Sequence, residues 1–411
     1  MHAIAIWAIA AATIALMLAR PARLGEWIWP ALGAIVLVAS GLLSGGQAAD
    51  AARDGLDVYA FLLGMLALAE LARVQGLFDW ITASLIAGAR GRSKRLFAWL
   101  FAIAIAVTAL LSNDGTILLL TPAAIALSRA AKLPALPFAY AVAFVANAAS
   151  FILPISNPAN LVVFSPLPPL VPWLTLFAAP SAVALVYTYA ALGWHCSRDL
   201  AQAYVPQDAR APLPAVGRLT LIVVGVSLAL LVAAAGFGLP VGYIAFALGA
   251  ISVAIVAARD RATLAPLVRE APWSVIPLVA GLFVIVRALD TTGALELARA
   301  MLRQASALSP LAGKLYAGGA IALGDAVINN LPAGVVVRYA LHGHGIAPHA
   351  AHAALVGIDL GPNLSVSGSL ATLLWVMMLR RDGVEVNAWR FLALGALITV
   401  PSLALALLVL R

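Results

Sequence analysis

Residues 110–122 read LLSNDGTILLLTP. Apolar residues flank a run of five small or polar ones, Ser112, Asn113, Asp114, Gly115 and Thr116. A polar knot in the middle of a greasy segment reads as the tip of a hairpin whose arms enter and leave a bilayer on one side. The segment 95–131 supplies both arms. A second segment, 309–341, has the same build, with Asn329 and Asn330 at its tip. After Asn330 only seven residues precede Arg338, too few to cross roughly 30 Å at about 1.5 Å per residue. That arm is expected to turn back. The first hairpin is read likewise, from its similarity to the second.

The rest of the chain fits a membrane setting. Of 411 residues, 64% are hydrophobic and 10% charged, and the mean hydropathy is +1.02. A soluble domain of this length could not bury so much apolar surface. The expected fold is therefore an all-α polytopic membrane protein. A transmembrane barrel is excluded, because its strands would alternate and these runs do not. Spans are expected near 3–19, 26–44, 57–73, 137–165, 173–194, 218–235, 240–257, 273–289, 350–379 and 388–410, which gives ten crossings plus two hairpins. The first run has no positive charge before it and is followed by Arg20 and Arg23, so it reads as a transmembrane helix and not a signal peptide.

The formal charge of +8 does not indicate nucleic acid, since the arginines lie in short loops between apolar runs. The single cysteine, Cys196, excludes an internal disulfide and a multi-cysteine metal site. No nucleophile–base pair, Gly-rich phosphate loop or closed metal site is visible. An enzyme is not expected, and no cofactor is implied.

Lys and Arg mark cytoplasmic loops. ARGRSKR (89–95) is then inside, with Arg129 and Lys132, the group Arg198, Arg210 and Arg218, and the pair Arg380 and Arg381. Both termini come out periplasmic. The flanks of the second hairpin (Arg299, Arg303, Lys314 and Arg338) run against the rule, because they fall outside. The two halves also resemble one another. VQGLFDWI (74–81) pairs with TTGALELA (291–298), SNDGTILLLTP with INNLPAGVVV (328–337), and LPISNPANLVVF (153–164) with LSVSGSLATLLW (364–375). Five crossings per half make the repeats inverted, a build in which binding lies at the membrane midplane. The expected division is a first repeat over 1–194, with hairpin 95–131 and broken helix 137–165. A cytoplasmic linker follows over 195–217. The second repeat covers 218–411, with hairpin 309–341 and broken helix 350–379.

Four places put polar groups at membrane depth: the two tips, PISNPAN (154–160) and SVSGS (365–369). Pro154 and Pro158 break a helix, and Gly368 loosens the matching place in the second half. Asn113, Asp114, Asn330, Ser156 and Ser369 are good helix caps. Capping does not exclude a site, because converging half-helix ends make a polar locus themselves. Asp114, Asp325 and Asp359 are sharper signals. A charge at the bilayer centre costs about 2.5–3.5 kcal/mol on insertion scales, so each should face protein or water, as proton carriers do. Glu70 is expected to snorkel from a helix end, and Arg287 to pair with Asp290. HGHGIAPHAAH (342–352) gathers His342, His344, His349 and His352. Imidazoles suit zinc, copper or nickel, but a polar loop is the simpler account.

ALLSNDGTILLLTP, FILPISNPANLV, REAPWSVIPLVAGLFVIVRAL (269–289), VINNLPAGVVV and GIDLGPNLSVSGSLATLLW (357–375) resemble the arsenite/antimonite efflux carrier family (the ArsB type) of the ion transporter superfamily. The resemblance runs over nearly the whole chain, and its last piece is the most specific. It implies export of arsenite and antimonite across the bacterial inner membrane in exchange for protons. It also implies a cytoplasmic arsenite-stimulated ATPase as partner in some hosts, and it allows a homodimer. Arsenite near neutral pH is mostly the uncharged trihydroxide. Asn113, Asp114, Ser156, Asn157, Asn160, Asn329, Asn330, Ser367 and Ser369 are the candidate cargo ligands, since they donate and accept hydrogen bonds. Asp114, Asp359 and Asp325 are the candidate proton-coupling residues. Some members carry Asp where this chain has Asn147 and Lys where it has Asn363, and a small residue in place of Asp325. The alternatives are a sodium/proton antiporter or organic-anion carrier of the same superfamily, a passive channel for neutral hydroxides, or a metal sensor built on the histidines.

Overall fold

The computed structural model describes residues 2–19, 25, 27–205, 212–270, 273–341, 345–366 and 368–411. Among them the chain is helical, with no strand. The first half contains α1 (His2–Ala19), α2 (Ile28–Ala39), α3 (Gly45–Arg53), α4 (Leu56–Val74), α5 (Leu77–Gly88), α6 (Ser93–Ala131), α7 (Leu136–Ala148), α8 (Pro158–Val163) and α9 (Leu170–His195). The second contains α10 (Ala215–Gly236), α11 (Val241–Arg259), α12 (Leu264–Glu270), α13 (Val275–Asp290), α14 (Leu295–Ala307), α15 (Pro310–Ile328), α16 (Asn330–Leu341), α17 (Pro348–Leu360), α18 (Leu370–Arg381) and α19 (Ala388–Val409).

Among the described residues six helices are long and apolar enough to cross a membrane: α6, which is two helical arms joined at a break at Ser112, and α9, α10, α11, α15 and α19. The number rises to eight if the bent pairs α3–α4 (47°) and α13–α14 (82°) each count as one span. The run near 26–44 yields a helix of only 12 residues, about 18 Å long, shorter than the full crossing expected there. Large apolar side chains on the outer faces, such as Ile222, Val226 and Leu230 at helical spacing on α10, are exposed. Such a continuous apolar face suits lipid and not water. The chain is a multi-pass membrane protein.

The halves interleave. Helix α2 packs on α13, and α11 packs on α4. Both crossings are made by a glycine. A Cβ on Gly64 would sit 2.2 Å from the Ala245 carbonyl, and one on Gly281 would sit 2.5 Å from the Pro30 carbonyl. Backbone approaches backbone there because no side chain intervenes.

Helices α3, α5, α12 and α14 were not foreseen. They are too short for a span, and α3, α12 and α14 are too polar. Helix α3 starts with a capping box in which Ser44 Oγ accepts from Gln47 N (3.2 Å) and Gln47 Oε1 accepts from Ser44 N (3.1 Å). Helix α14 buries Leu295, Leu302 and Ala305 on one face. Its cations are paired, Arg299 to Asp290 at 2.8 Å and Arg303 to Glu296 at 3.3 Å. Lys314 donates to the Leu410 carbonyl at 2.5 Å, and Arg338 lies 6.0 Å over the Phe283 ring. The charges flanking the second hairpin therefore serve local contacts, which weakens them as topology signals. Arg287 sits 3.9 Å from Asp290, a looser pair than Arg299 makes. Glu70 pairs with Arg73 at 2.5 Å on the same helix and so does not simply snorkel.

Candidate functional site

The two hairpin tips share one backbone geometry. Ser112 has φ 78° and ψ 164°, and Asn329 has φ 80° and ψ 149°. Beyond the first tip, Thr116 Oγ1 lies 2.8 Å from Thr108 Oγ1. A straight helix would separate residues eight apart by about 12 Å, so the chain folds back sharply at Ser112. Each tip then docks on a broken helix. Asn113 N donates to the Ser156 carbonyl at 3.1 Å, and Asn330 N donates to the Gly368 carbonyl at 3.0 Å. Ser369 caps the half-helix beyond the second break as expected, whereas beyond the first the cap is Asn157 and not Ser156. Asn157 Oδ1 accepts from Ala159 N at 3.0 Å, and Ser369 Oγ accepts from Thr372 N at 3.0 Å.

The first break is wider than PISNPAN. Helix α7 already ends at Ala148. Pro154 carries no N–H and its ring would collide with the carbonyl four residues earlier, that of Ser150. That carbonyl is taken by Asn160 Nδ2 at 2.9 Å. Ser150 Oγ lies 2.7 Å from the Asn147 carbonyl and is also hydrogen-bonded to Asp359 Oδ1. Asn157 Nδ2 donates to the same carboxylate oxygen at 2.6 Å. Ser156 Oγ donates to the Ala109 carbonyl at 3.0 Å, tying the break to the first hairpin arm. The second break is pinned similarly, with Ser365 Oγ donating to the Ala326 carbonyl at 2.6 Å.

The structure thus unites Asn157, Asn160 and Asp359 in one buried network. It joins Asn113 to Ser156, and Asn330 to the Gly368 carbonyl, through backbone bonds. The network also holds Ser150, Asn147 and Asn363, which had not been named as site residues. Pro154 was the available signal for Ser150, since a proline frees the carbonyl four residues before it. Asp114 lies half-buried just past its tip, with its N–H accepted by Asn113 Oδ1 at 2.9 Å, outside that network. Asp325 is fully buried on α15, where Gly361 leaves room for it. A Cβ there would come 2.9 Å from Asp325 Oδ2. Asp325 Oδ2 thus faces the chain two residues beyond Asp359. Asn329 Oδ1 accepts weakly from Leu331 N at 3.5 Å. Ser367, His342 and His344 lie outside the described residues.

The other two histidines serve packing. His352 meets the rings of Phe164 and Phe177 at 6.2 and 5.9 Å, and His349 Nε2 approaches the Ala305 carbonyl at 3.4 Å. Among the described residues no group of three His, Cys, Asp or Glu could hold a metal ion. Cys196 is buried at the end of α9, where burial pushes its thiol up to about 11. At neutral pH it stays protonated, whereas the thiolate is the metal-binding form.

Residues 4–361 match the CitMHS family, described as citrate transporter, and the chain belongs to that family of membrane transporters. It is 29% identical to the arsenical pump membrane protein of Escherichia coli K12, over 97% of this chain and 96% of that protein. The arsenical pump membrane protein of Yersinia enterocolitica is also 29% identical, over 86% of each. The fold is similar to that of the YdaH transporter of Alcanivorax borkumensis. The TM-score is 0.52 at 16% identity, over 88% of this chain and 86% of that one.

Proposed function

We propose that this chain exports arsenite and antimonite from the bacterial cytoplasm, exchanging them for protons by alternating access. The observation that carries the proposal is the chemistry of the break network. It holds amides, hydroxyls and the Asp359 carboxylate, and among the described residues no Lys or Arg is hydrogen-bonded to it. A polycarboxylate such as citrate would meet like charge with no cation to offset it. A neutral hydroxide would not. The names of the Escherichia coli and Yersinia relatives point the same way.

The architecture proposed is two inverted repeats, 1–194 and 218–411, of five crossings each, joined by a cytoplasmic linker over 195–217. Each repeat contributes one re-entrant hairpin and one broken helix, and both termini are periplasmic. The equivalent tips at Ser112 and Asn329, 217 residues apart, support this reading. The cargo is held by groups from Asn113, Asp114, Ser156, Asn157, Asn160, Asn329, Asn330, Ser367 and Ser369. Asp114 and Asp359 bind the exchanged protons, with Asp325 as a third acid. A cytoplasmic arsenite-stimulated ATPase is a further proposed partner.

The test is arsenite accumulation in everted vesicles holding this protein alone, with an inside-acid pH gradient and no ATP. Uphill uptake that a protonophore abolishes is the expected result. Absence of uptake by folded protein would overturn the proposal, and uptake driven by sodium would replace it with a sodium carrier. Flux indifferent to the pH gradient would mean a channel.

A further inference from the structure

Ser150 stands where the contacts of the first break meet. Its one hydroxyl hydrogen is shared between two acceptors, the Asn147 carbonyl and Asp359 Oδ1, and its own carbonyl accepts from Asn160 Nδ2. Each of these three partners keeps a second oxygen with no partner in the protein: Asn147 Oδ1, Asn160 Oδ1 and Asp359 Oδ2. All three residues are at most 1% exposed. Leaving a buried acceptor unmade is costly, so these oxygens, on three residues bonded to one serine, call for donors, as do the two unpartnered oxygens of Asp325. One unmatched donor also belongs here. Asn113 Nδ2 is buried without a partner, and its backbone is pinned to the same break through Ser156. A carboxylate offers only acceptors. A bare cation would satisfy the oxygens but oppose the amide donor. A neutral polyhydroxide both donates and accepts.

We propose that Asn147 Oδ1, Asn160 Oδ1 and Asp359 Oδ2 together accept the hydroxyl hydrogens of a neutral trihydroxide, with Ser150 as the residue that positions all three. This rests on the carrier reading above and extends its site to Asn147 and Ser150. It also supplies a reason for exchange. Asp359 Oδ2 either carries a proton or accepts a cargo hydroxyl, and it cannot do both. When cargo arrives the proton leaves to water on that side, and no other atom changes hands.

Asp325 is the acid facing the chain two residues beyond Asp359. Other titratable groups on the packed elements lie toward helix ends: Glu296, Arg299 and Arg303 on α14, Lys314 and Tyr316 on α15, Arg338 and Tyr339 on α16, His349 and His352 at the start of α17, Tyr140 on α7 and Arg390 on α19. Among the described residues none of them hydrogen-bonds Asp359.

The test is equilibrium binding of radiolabelled arsenite to the purified full chain at several pH values. Wild type is expected to bind, more weakly as pH falls. Ser150→Ala, Asn147→Leu and Asn160→Leu should each weaken binding about tenfold, and Ser150→Thr should restore it. Asp359→Asn should bind with a shallower pH dependence than wild type. Thermal unfolding separates lost binding from lost fold, and Ser150→Thr serves if the alanine variant does not fold. Wild-type affinity in folded Ser150→Ala and Asn160→Leu would overturn the site while leaving the carrier reading intact. Sodium ions displacing arsenite from wild type would also overturn it, in favour of a cation site. If wild type binds no arsenite, the cargo reading itself falls.

Discussion

Asn147 Nδ2 donates to Asn363 Oδ1 at 2.9 Å, although the two residues lie 216 apart in the chain. Asn363 Nδ2 continues to the Phe144 carbonyl at 3.1 Å. The pair is buried on every side, and it is where the first broken helix touches the second.

Replacing Asn363 by Leu should strand Asn147 Nδ2, whereas the Phe144 carbonyl keeps its partner within α7. A buried group left unsatisfied costs about 1–3 kcal/mol, so unfolding of the detergent-solubilised protein should shift by that amount. Asn147→Leu added to Asn363→Leu should cost less than the sum of the two. A strictly additive double-mutant cycle would mean that the two amides do not depend on one another.

The tips hold a second measurable tension. Ser112 and Asn329 both adopt a backbone region with positive φ and extended ψ that is nearly reserved for glycine and costs about 1–3 kcal/mol for other residues. Asn329→Gly should therefore stabilise the fold by about 1 kcal/mol, while Ser112→Val should destabilise it by at least as much. Transport by Asn329→Gly should fall, because a tip without its side chain no longer holds one geometry. An Asn329→Gly protein less stable than wild type would show that the side chain, and not the backbone, governs the tip.

The breaks at Ser112 and Asn329 were legible because they set polar residues inside apolar runs. Much of the network was not. Ser150 lies in VANAASFILP (145–154), where a single hydroxyl in an apolar stretch usually bonds its own helix. Its role appears only once Asp359, 209 residues away, is brought alongside. Asn147 and Asn363 stood out only as departures from a family pattern. The short helices were hidden for a different reason. Length and hydropathy rules detect spans, whereas α14 is an amphipathic segment whose charges pair among themselves.

The interleaving of the halves makes a sharp prediction about glycine. Gly64→Ala places a Cβ 2.2 Å from the Ala245 backbone, so α4 and α11 must separate, and folded yield after extraction should collapse. Gly319, also helical but with open space at its Cβ position, is the control. Gly319→Ala should be neutral or stabilising by up to about 1 kcal/mol, as expected for a helix interior. Equal yields from Gly64→Ala and wild type would mean that the two helices do not cross this closely.

Asp114 gives the most direct test of coupling. It lies half-buried beside a tip whose backbone is pinned to the broken helix, and among the described residues no cation pairs with it. Asn keeps its size and its capacity to cap the half-helix but cannot exchange a proton. Asp114→Asn should insert and fold normally. Exchange of labelled for unlabelled arsenite across the vesicle membrane needs no net proton movement and should persist within a few-fold of wild type. Uptake driven by a pH gradient does need it, and should fall at least tenfold. The two assays use the same vesicles, so lost protein would lower both together. If gradient-driven uptake survives in Asp114→Asn, the exchanged proton travels through Asp359 or Asp325.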